Sequence, residues 1–259
     1  MSSESDGERP VRERAPLHEL NLWRRDLGRA PDSVWDRTDL QVLILADNGL
    51  TELSPRIGEL RRLRTLDLGH NALVSLPVEI GALRSLSRFL YLHDNRLSEL
   101  PASLGRLTEL RYLNVGENPL TALPEEIGAM AALVELRAQH CSLTELPSGL
   151  GRLTALRELW LRGNALTGLP DSAARLRELR QLELRENALV ELPPALASLP
   201  LLRSLDLRAN RLRALPSWVA RMPALEKLDL RWNDRWEGGA PDPGIVAELE
   251  RRGCVVLLS

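Results

Sequence analysis

The chain has 259 residues and an almost balanced charge, with 34 lysine and arginine against 36 aspartate and glutamate side chains. This balance argues against a nucleic-acid binder, because affinity for phosphates depends on an excess of basic side chains. No run of 18 apolar residues occurs, so we expect no membrane partner. The N-terminal residues lack the basic flank and apolar stretch of a secretion signal. Two distant cysteines, Cys141 and Cys254, favour a reducing, cytoplasmic location.

Residues 1–16 form the first predicted segment, a charged tail. The segment mixes acidic and basic side chains and contains Pro10 and Pro16. It has too few apolar residues to contribute to a core, so we predict that it is disordered.

Residues 17–236 consist of ten predicted repeats, of which the first is degenerate. Asparagine recurs in the frame L-x-x-L-x-L-x-x-N-x-L at steps of 23 or 24 residues, with one double step of 46 where Cys141 takes its place. The asparagines are Asn48, Asn71, Asn95, Asn118, Asn164, Asn187, Asn210 and Asn233. A repeat of this length cannot bury its apolar face alone, so the units must stack into a solenoid.

Each repeat predicts a short strand followed by an outer connection. The segment Leu66-Asp67-Leu68 alternates apolar and polar residues, which is typical of a strand with one buried face. A Leu-Pro pair such as Leu123-Pro124 follows the asparagine and suits an extended chain before a short helical turn, as at residues 125–128. We therefore expect strands on one side of the solenoid and helical turns on the other.

The repeated asparagine has a predicted structural role at the bend that follows each strand. A buried primary amide can bind backbone groups of its own bend and of the neighbouring bend, so the stacked amides form a ladder. Loss of one amide should cost about 1–3 kcal/mol. Cys141 is a weaker substitute, so the repeat of residues 133–155 is predicted to be a soft point.

Residues 237–259 differ from the repeats and predict a C-terminal cap made of a helix and a strand. Asp242 and Pro243 are typical of a helix start, and Gly253 is typical of a helix end. The apolar residues 254–258 then favour a strand. Such a cap would cover the core that the open end of a solenoid exposes.

The fuller pattern of one repeat is Leu110-x-x-Leu113-x-Val115-x-x-Asn118-x-Leu120-x-x-Leu123-Pro124. It resembles the leucine-rich repeat family, in particular the 23-residue type of Ras-suppressor-like and many bacterial intracellular proteins, over about residues 17–236. The resemblance implies an α/β solenoid, a right-handed horseshoe with a parallel concave sheet and short helical or 3-10 turns on the convex side. It also implies protein–protein recognition rather than catalysis.

The frame places the third, fifth and seventh residues of each repeat on the exposed face of the sheet. Besides Trp23 in the first repeat, the aromatic side chains in these columns are Phe89, Tyr91, Tyr112 and Trp160, and we predict that these four contact a partner, because aromatics are enriched in binding hot spots. His93 and Arg137 lie in the same columns. The alternative is that the aromatics only shield the sheet or pack on arginine neighbours. Three other tryptophans are expected to fill the core: Trp35, Trp218 and Trp236.

One repeat is longer than the others, because the step from Asn71 to Asn95 is 24 residues. An extra residue in a strand forms a bulge, and bulges redirect side chains at functional places. We therefore predict a bulge near Phe89 and Tyr91 and leave the direction of Phe89 open.

Charged side chains form two columns in the last four repeats. Arginine occupies the seventh position at Arg162, Arg185, Arg208 and Arg231, and an acid lies two residues before three of them, at Glu183, Asp206 and Asp229. One interpretation is a solvated ladder in which the two columns compensate each other and stabilise little. The other is an array of guanidinium groups for carboxylates or phosphates of a partner.

The sequence favours no catalytic or cofactor site. An eighth-position column of Asp47, His70, Asp94, Glu117 and His140 was weighed as a metal site, but metal ligands normally converge from several directions. No phosphate-binding loop, nucleophile elbow or C-x-x-C motif occurs.

We therefore predict a non-enzymatic protein-binding module or scaffold, monomeric alone and without a cofactor. Three alternatives stay open: a regulator or inhibitor of an enzyme or small GTPase, a substrate-recognition subunit for a separate catalytic chain, and a binder of sugars or small ligands.

Overall fold

The computed structural model of the protein describes residues 18–258, so the predicted tail of residues 1–16 lies outside the described range. Within that range, eleven short strands form one sheet in which each strand pairs in parallel with the next one along the chain. Strands β1 to β11 comprise Glu19–Asn21, Val42–Ile44, Thr65–Asp67, Phe89–Tyr91, Tyr112–Asn114, Glu135–Arg137, Glu158–Trp160, Gln181–Glu183, Ser204–Asp206, Lys227–Asp229 and Val255–Leu257. This architecture confirms the predicted solenoid with a parallel sheet.

The leucines at the centre of each repeat face the core. Leu66 in β3 and Leu90 in β4 lie opposite each other in register, and both are completely buried. The residues on either side of them point to the other face, because alternate side chains of a strand point to opposite faces. Each buried leucine contributes about 1.5–3 kcal/mol, so the stacked leucine columns dominate the stability of the fold.

The extra residue of the 24-residue repeat does not form a bulge in β4, so this prediction is wrong. Phe89 pairs in register with Thr65 on one side and with Tyr112 on the other. Leu86 keeps the buried place of the first leucine of the repeat, and the additional residue, Ser87, lies in the connection before the strand. The connection accepts this residue because only the strand ladder needs a fixed register.

Short 3-10 helices form the outer arc of the solenoid. In the described range they span Asp32–Val34, Pro55–Glu59, Val78–Ala82, Ala102–Arg106, Glu125–Ala129, Ser148–Arg152, Asp171–Arg175, Pro194–Ser198 and Ser217–Arg221. An extended proline precedes most of them, as Pro124 does with φ −67° and ψ 146°. Successive helices stack so closely that a Cβ at Gly105 would overlap the carbonyl oxygen of Glu126. Trp35 is buried in this arc, and Trp218 and Trp236 pack against the core, as expected.

Each asparagine side chain ties neighbouring bends together, as predicted. Asn118 Nδ2 donates to the carbonyl oxygens of Leu92, Val115 and Gly116 at 3.0–3.1 Å. Its Oδ1 accepts the amide N–H of Leu97, in the preceding repeat, at 3.0 Å. The amide thus satisfies backbone groups that the bend would otherwise bury without partners.

Cys141 does not reproduce this pattern. Its Sγ lies 3.6 Å from the carbonyl oxygens of Val115 and Gln139, and a thiol has one weak donor to offer. Among residues 18–258, the amide N–H of Leu120 has no acceptor, whereas the equivalent N–H of Leu97 is bound by Asn118. These contacts support the predicted soft point at residues 133–155, which stays a prediction.

The residue before each asparagine has a left-handed backbone, a feature that the sequence analysis missed. Non-glycine residues at this eighth position have φ between 50° and 61°: Arg24, Asp47, His70, Asp94, Glu117, His140, Glu186, Ala209 and Trp232. This conformation costs about 1–2 kcal/mol for a residue with a Cβ. The bend therefore imposes the conformation against the local preference of these residues.

The C-terminal cap confirms the prediction of a helix followed by a strand. Helix α1 spans Pro243–Arg251, and the Asp242 carboxylate accepts the amide N–H of Gly244 at 2.8 Å. Val246 and Leu249 are buried, and β11 pairs with β10, so the cap closes this end of the core. Across residues 18–258, no helix has the length and apolar character that crossing a bilayer requires.

Candidate functional site

The open face of the sheet carries the third, fifth and seventh residues of the repeats, which we call the concave surface. All thirteen predicted partner-binding residues belong to these columns. Twelve of them are at least partly exposed. The exception is Asp229, which is only 2% exposed, so its carboxylate is not open to a partner.

Three aromatic side chains form a single cluster on β4 and β5. The rings of Phe89 and Tyr91 stack with centroids 5.8 Å apart, and Tyr112 lies 5.5 Å from Phe89 and 5.1 Å from Tyr91. Phe89 is 40% exposed, and the tyrosines are partly buried. Burial raises the pKa of both tyrosines above its usual value, so the phenols are neutral. The cluster offers apolar area with hydroxyl groups at its edge.

Arg137 joins this cluster to Trp160. Its guanidinium carbon lies 5.9 Å from the centre of the Tyr112 ring and 4.9 Å from that of Trp160, within the range of cation–π attraction. Arg137 Nε also donates to Glu135 at 2.6 Å, which fixes the guanidinium between the two rings. The side chains of Phe89, Tyr91, Tyr112, Arg137 and Trp160 therefore make one continuous surface, which we call the aromatic strip.

His93 follows strand β4 and lies beside Tyr91 at the edge of the aromatic strip. Its ring is 6.0 Å from Tyr91 in an edge-to-face arrangement, and its Nε2 lies 3.2 Å from Nε2 of His70. A Cβ at position 69 would overlap the His93 ring, so Gly69 makes room for it. Burial, and then the charge of His70, lower the pKa of His93, so this imidazole is neutral at pH 7.

The arginine and acid columns compensate each other only in the last two repeats. Arg208 donates to Asp206 from Nε at 2.9–3.0 Å and also lies 3.3 Å from Asp229, which accepts from Arg231 at 2.8 Å. Burial raises the pKa of Asp229, but the hydrogen bonds from Arg231 and the charge of Arg208 outweigh burial and hold it below its usual value.

Arg185 does not bind Glu183, although the two lie two residues apart in the charged columns. Arg185 instead lies 2.9 Å from Glu186, which also accepts from Arg162 at 3.0 Å. The reason is the left-handed bend at Glu186, which turns its carboxylate toward both arginines. Within residues 18–258, the Glu183 carboxylate has no hydrogen bond and no ion pair at contact distance. Burial and the charge of Asp206 raise its pKa.

Trp232 belongs to this surface but was missed by the sequence analysis. It occupies an eighth position with φ 61°, is 60% exposed, and lies 5.4–5.9 Å from the guanidinium carbons of Arg185, Arg208 and Arg231. The only signal was its place directly before Asn233, since its neighbours at that position are small or polar.

The eighth-position column shows one contact that the metal hypothesis anticipated, between His70 Nδ1 and Asp94 at 2.7 Å. Across the described residues, no group of three or more histidine, cysteine, aspartate or glutamate side chains is arranged to hold a metal ion. A cavity of about 770 Å³ lies on the outer arc and is lined by residues such as Val78, Pro101 and Arg106.

Comparisons with known proteins identify the family. A leucine rich repeat model matches residues 38–97, 154–212 and 179–234, and a leucine-rich repeat region model matches residues 87–167. These matches cover more than half of the chain, so the protein belongs to the leucine-rich repeat family. The finer assignment to the Ras-suppressor-like or bacterial intracellular type stays a prediction.

Curated relatives match only part of the chain. The volume-regulated anion channel subunit LRRC8A of Homo sapiens is 39% identical over 84 residues, which is 32% of this chain and 10% of that protein. The Rattus norvegicus subunit is 41% identical over 78 residues, or 29% of this chain and 10% of that protein.

Solved structures resemble the chain over most of its length. The Leptospira interrogans leucine-rich repeat protein LIC12759 has a TM-score of 0.64 at 26% identity, covering 93% of this chain and 78% of that one. PEPR1 in its AtPEP1 structure has a TM-score of 0.69 at 26% identity, covering 87% and 32%. The ectodomain of the Arabidopsis thaliana receptor kinase GASSHO1/SCHENGEN3, in complex with CASPARIAN STRIP INTEGRITY FACTOR 2, has a TM-score of 0.63 at 29% identity. The match covers 88% of this chain and 30% of that one.

Proposed function

We propose that the protein is a non-enzymatic binding module that holds a protein partner on its concave surface. The observation that carries the proposal is the aromatic strip, because four aromatic side chains and Arg137 lie together on the open face although the leucine core has no need of them. Large aromatic side chains and arginine supply most of the binding energy at protein interfaces. The strip is therefore the anchor of the contact, and the charged columns set the orientation of the partner.

The solved relatives support a protein-interaction role for this fold. One of them is a receptor ectodomain in complex with CASPARIAN STRIP INTEGRITY FACTOR 2. That complex supports partner binding as a role for this fold. We further propose a reducing, cytoplasmic location, supported by two buried free thiols at Cys141 and Cys254.

The proposal is tested by capturing partners from the native source with immobilised full chain and with a Tyr91→Ala/Tyr112→Ala variant. Loss of these two aromatic side chains should weaken the binding free energy of a partner by roughly 2–4 kcal/mol, which is enough to remove that partner from the captured set. Val78→Ala serves as the control, because Val78 is 64% exposed and lies on the outer arc.

Two outcomes decide the matter. A partner that is lost from the tyrosine variant and kept by Val78→Ala supports binding through the aromatic strip. An unchanged partner set for the tyrosine variant, with circular dichroism showing an intact fold, would move the binding surface away from the aromatic strip.

A further inference from the structure

Glu183 is an unpaired carboxylate at the middle of the C-terminal half of the concave surface. Its column neighbours are neutralised, because Asp206 accepts from the side chain of Arg208, and Asp229 accepts from that of Arg231. Both aspartates also accept the amide N–H two residues later, at 3.0 and 3.3 Å. Glu183 makes none of these contacts among the described residues.

A small pocket surrounds this carboxylate. Its volume is about 200 Å³, and its polar walls consist of Trp160, Gln181, Ser204, the three carboxylates Glu183, Asp206 and Asp229, and the two basic side chains Arg208 and Lys227. The carboxylates outnumber the basic side chains, and Arg208 is bound by Asp206, so the walls keep an excess of negative charge beside an aromatic ring, an amide and a hydroxyl. An ammonium or guanidinium group is attracted by an aromatic face and by carboxylates, so these walls match the head of a basic side chain.

The ion pairs within the concave surface indicate whether the partner should carry a positive or a negative charge at this pocket. The guanidinium groups of Arg208 and Arg231 are held by aspartates, and those of Arg162 and Arg185 share Glu186. An anionic partner would compete with these carboxylates, although Arg185 Nε has no hydrogen-bond partner among the described residues. A cation entering beside Glu183 displaces none of these contacts and removes the cost of a half-buried carboxylate without a partner.

We propose that the pocket around Glu183 is a specificity site for a lysine or arginine side chain in an extended segment of the protein partner. The inference rests on the proposed function, because it assigns the chemistry of the partner that the concave surface holds. It adds a recognition element that the aromatic strip alone does not provide, since aromatic anchors tolerate many apolar side chains.

The sheet also sets the spacing of the partner's side chains. Tyr112 on β5 and Glu183 on β8 are three strands apart, which corresponds to about 14 Å at about 4.8 Å per strand. An extended chain advances about 3.3 Å per residue, so about four residues span this distance. A depression of about 380 Å³ lined by Phe89, Tyr112 and Val134 lies at the other end and suits an apolar side chain. The partner segment thus carries an apolar and a basic residue about four positions apart.

The test uses a random peptide display library selected separately against the full chain, a Glu183→Gln variant and a Glu126→Gln variant. Glu126 is a matched control, because it is an exposed glutamate on the outer arc, in the helix Glu125–Ala129. Peptides selected by the wild-type chain and by Glu126→Gln should share a lysine or arginine at a fixed position. Peptides selected by Glu183→Gln should lack that preference.

A selected peptide and its variant with norleucine in place of the basic residue are then measured against the wild-type chain and Glu183→Gln, and the four dissociation constants form a double-mutant cycle. Removing either charge of a hydrogen-bonded ion pair should weaken binding to the wild-type chain about tenfold or more. Against Glu183→Gln the two peptides should bind almost equally. Equal losses from the norleucine exchange in both proteins would overturn the inference.

The outcomes also separate this inference from the proposed function. Peptides that require Tyr91 and Tyr112 but show no basic preference would refute the Glu183 site and leave concave binding in place. Peptides that bind the Tyr91→Ala/Tyr112→Ala variant as well as wild type, but still lose affinity with Glu183→Gln, would refute the aromatic anchor and keep the basic-side-chain site. A library that yields no peptide dependent on either set of residues would refute both.

Discussion

Replacing Cys141 by asparagine should stabilise the protein, because it completes the amide ladder. In the neighbouring repeat, Asn118 supplies an acceptor at 3.0 Å for the amide N–H of Leu97 and three donor contacts to carbonyl oxygens. At Cys141 the corresponding amide, that of Leu120, has no acceptor among the described residues, and Sγ reaches two carbonyl oxygens only at 3.6 Å.

The magnitude follows from the groups that gain partners. A buried N–H without an acceptor costs about 1–3 kcal/mol, and each amide hydrogen bond adds about 0.5–1.5 kcal/mol net. Desolvation of the new amide offsets part of this gain, so we expect the free energy of unfolding to rise by about 1–2 kcal/mol. In a chain of this size each kcal/mol raises Tm by about 2–4 °C.

The assay combines urea unfolding with amide hydrogen exchange. Exchange gives a local readout, since the Leu120 amide should become strongly protected in Cys141→Asn. Asn118→Cys is the matched reverse variant, and it should lower stability by a similar amount and expose the Leu97 amide to exchange. The reasoning would be refuted by a Cys141→Asn protein that folds normally but has unchanged stability and an unprotected Leu120 amide.

Three further variants test other parts of the structure. Ala209→Gly should raise the free energy of unfolding by about 0.5–1 kcal/mol in urea titrations, because glycine adopts φ 51° without a Cβ clash, and a decrease would show that the bend carries no strain. Glu183→Gln should stabilise the fold at pH 7. Burial and the charge of Asp206 raise the pKa of Glu183, and the charges of Arg162, Arg185 and Arg208 oppose this shift without cancelling it. The ionised form of Glu183 is therefore disfavoured in the folded chain. This gain in the free energy of unfolding should disappear as the pH falls through the raised pKa to below 4.5, the usual value. Urea unfolding of both proteins at pH 7 and at pH 4 measures it, and an equal gain at both pH values would contradict the charge argument. Leu182→Ala should cost about 2–5 kcal/mol by the same assay, and a loss below 1 kcal/mol would show that the leucine column is not tightly packed.

The repeat frame predicted most of the fold, because one physical requirement recurs in every unit. The leucines, the asparagine amide and the Leu-Pro pair each have one place in the stacked structure, so Leu66 and Asn118 could be assigned without coordinates. The cap was predictable for a different reason, since Asp242 and Gly253 carry local signals for the start and end of a helix.

The charged part of the site was less predictable, because a sequence does not show where a long side chain bends. Glu183 and Asp206 look equivalent as acids in one column, yet only Asp206 binds the arginine two residues later, because the arginine that follows Glu183 binds Glu186 instead. Glu186 and Trp232 were overlooked, since their exposure to the arginines depends on the left-handed bend before each asparagine. The trace that this bend leaves in the sequence is the recurrence of Asp, His and Gly at the eighth position, at Asp47, His70, Asp94, His140 and Gly163, and Glu186 and Trp232 do not share it.

The position of Ser87 has a practical consequence. The backbone there is already one residue longer than in the other repeats, and β4 still pairs with both neighbours without a shift. The link between Leu86 and Arg88 is thus a natural insertion point. A fluorophore or a short tag placed there would report on events at the nearby aromatic rings while leaving the strand that carries them undisturbed.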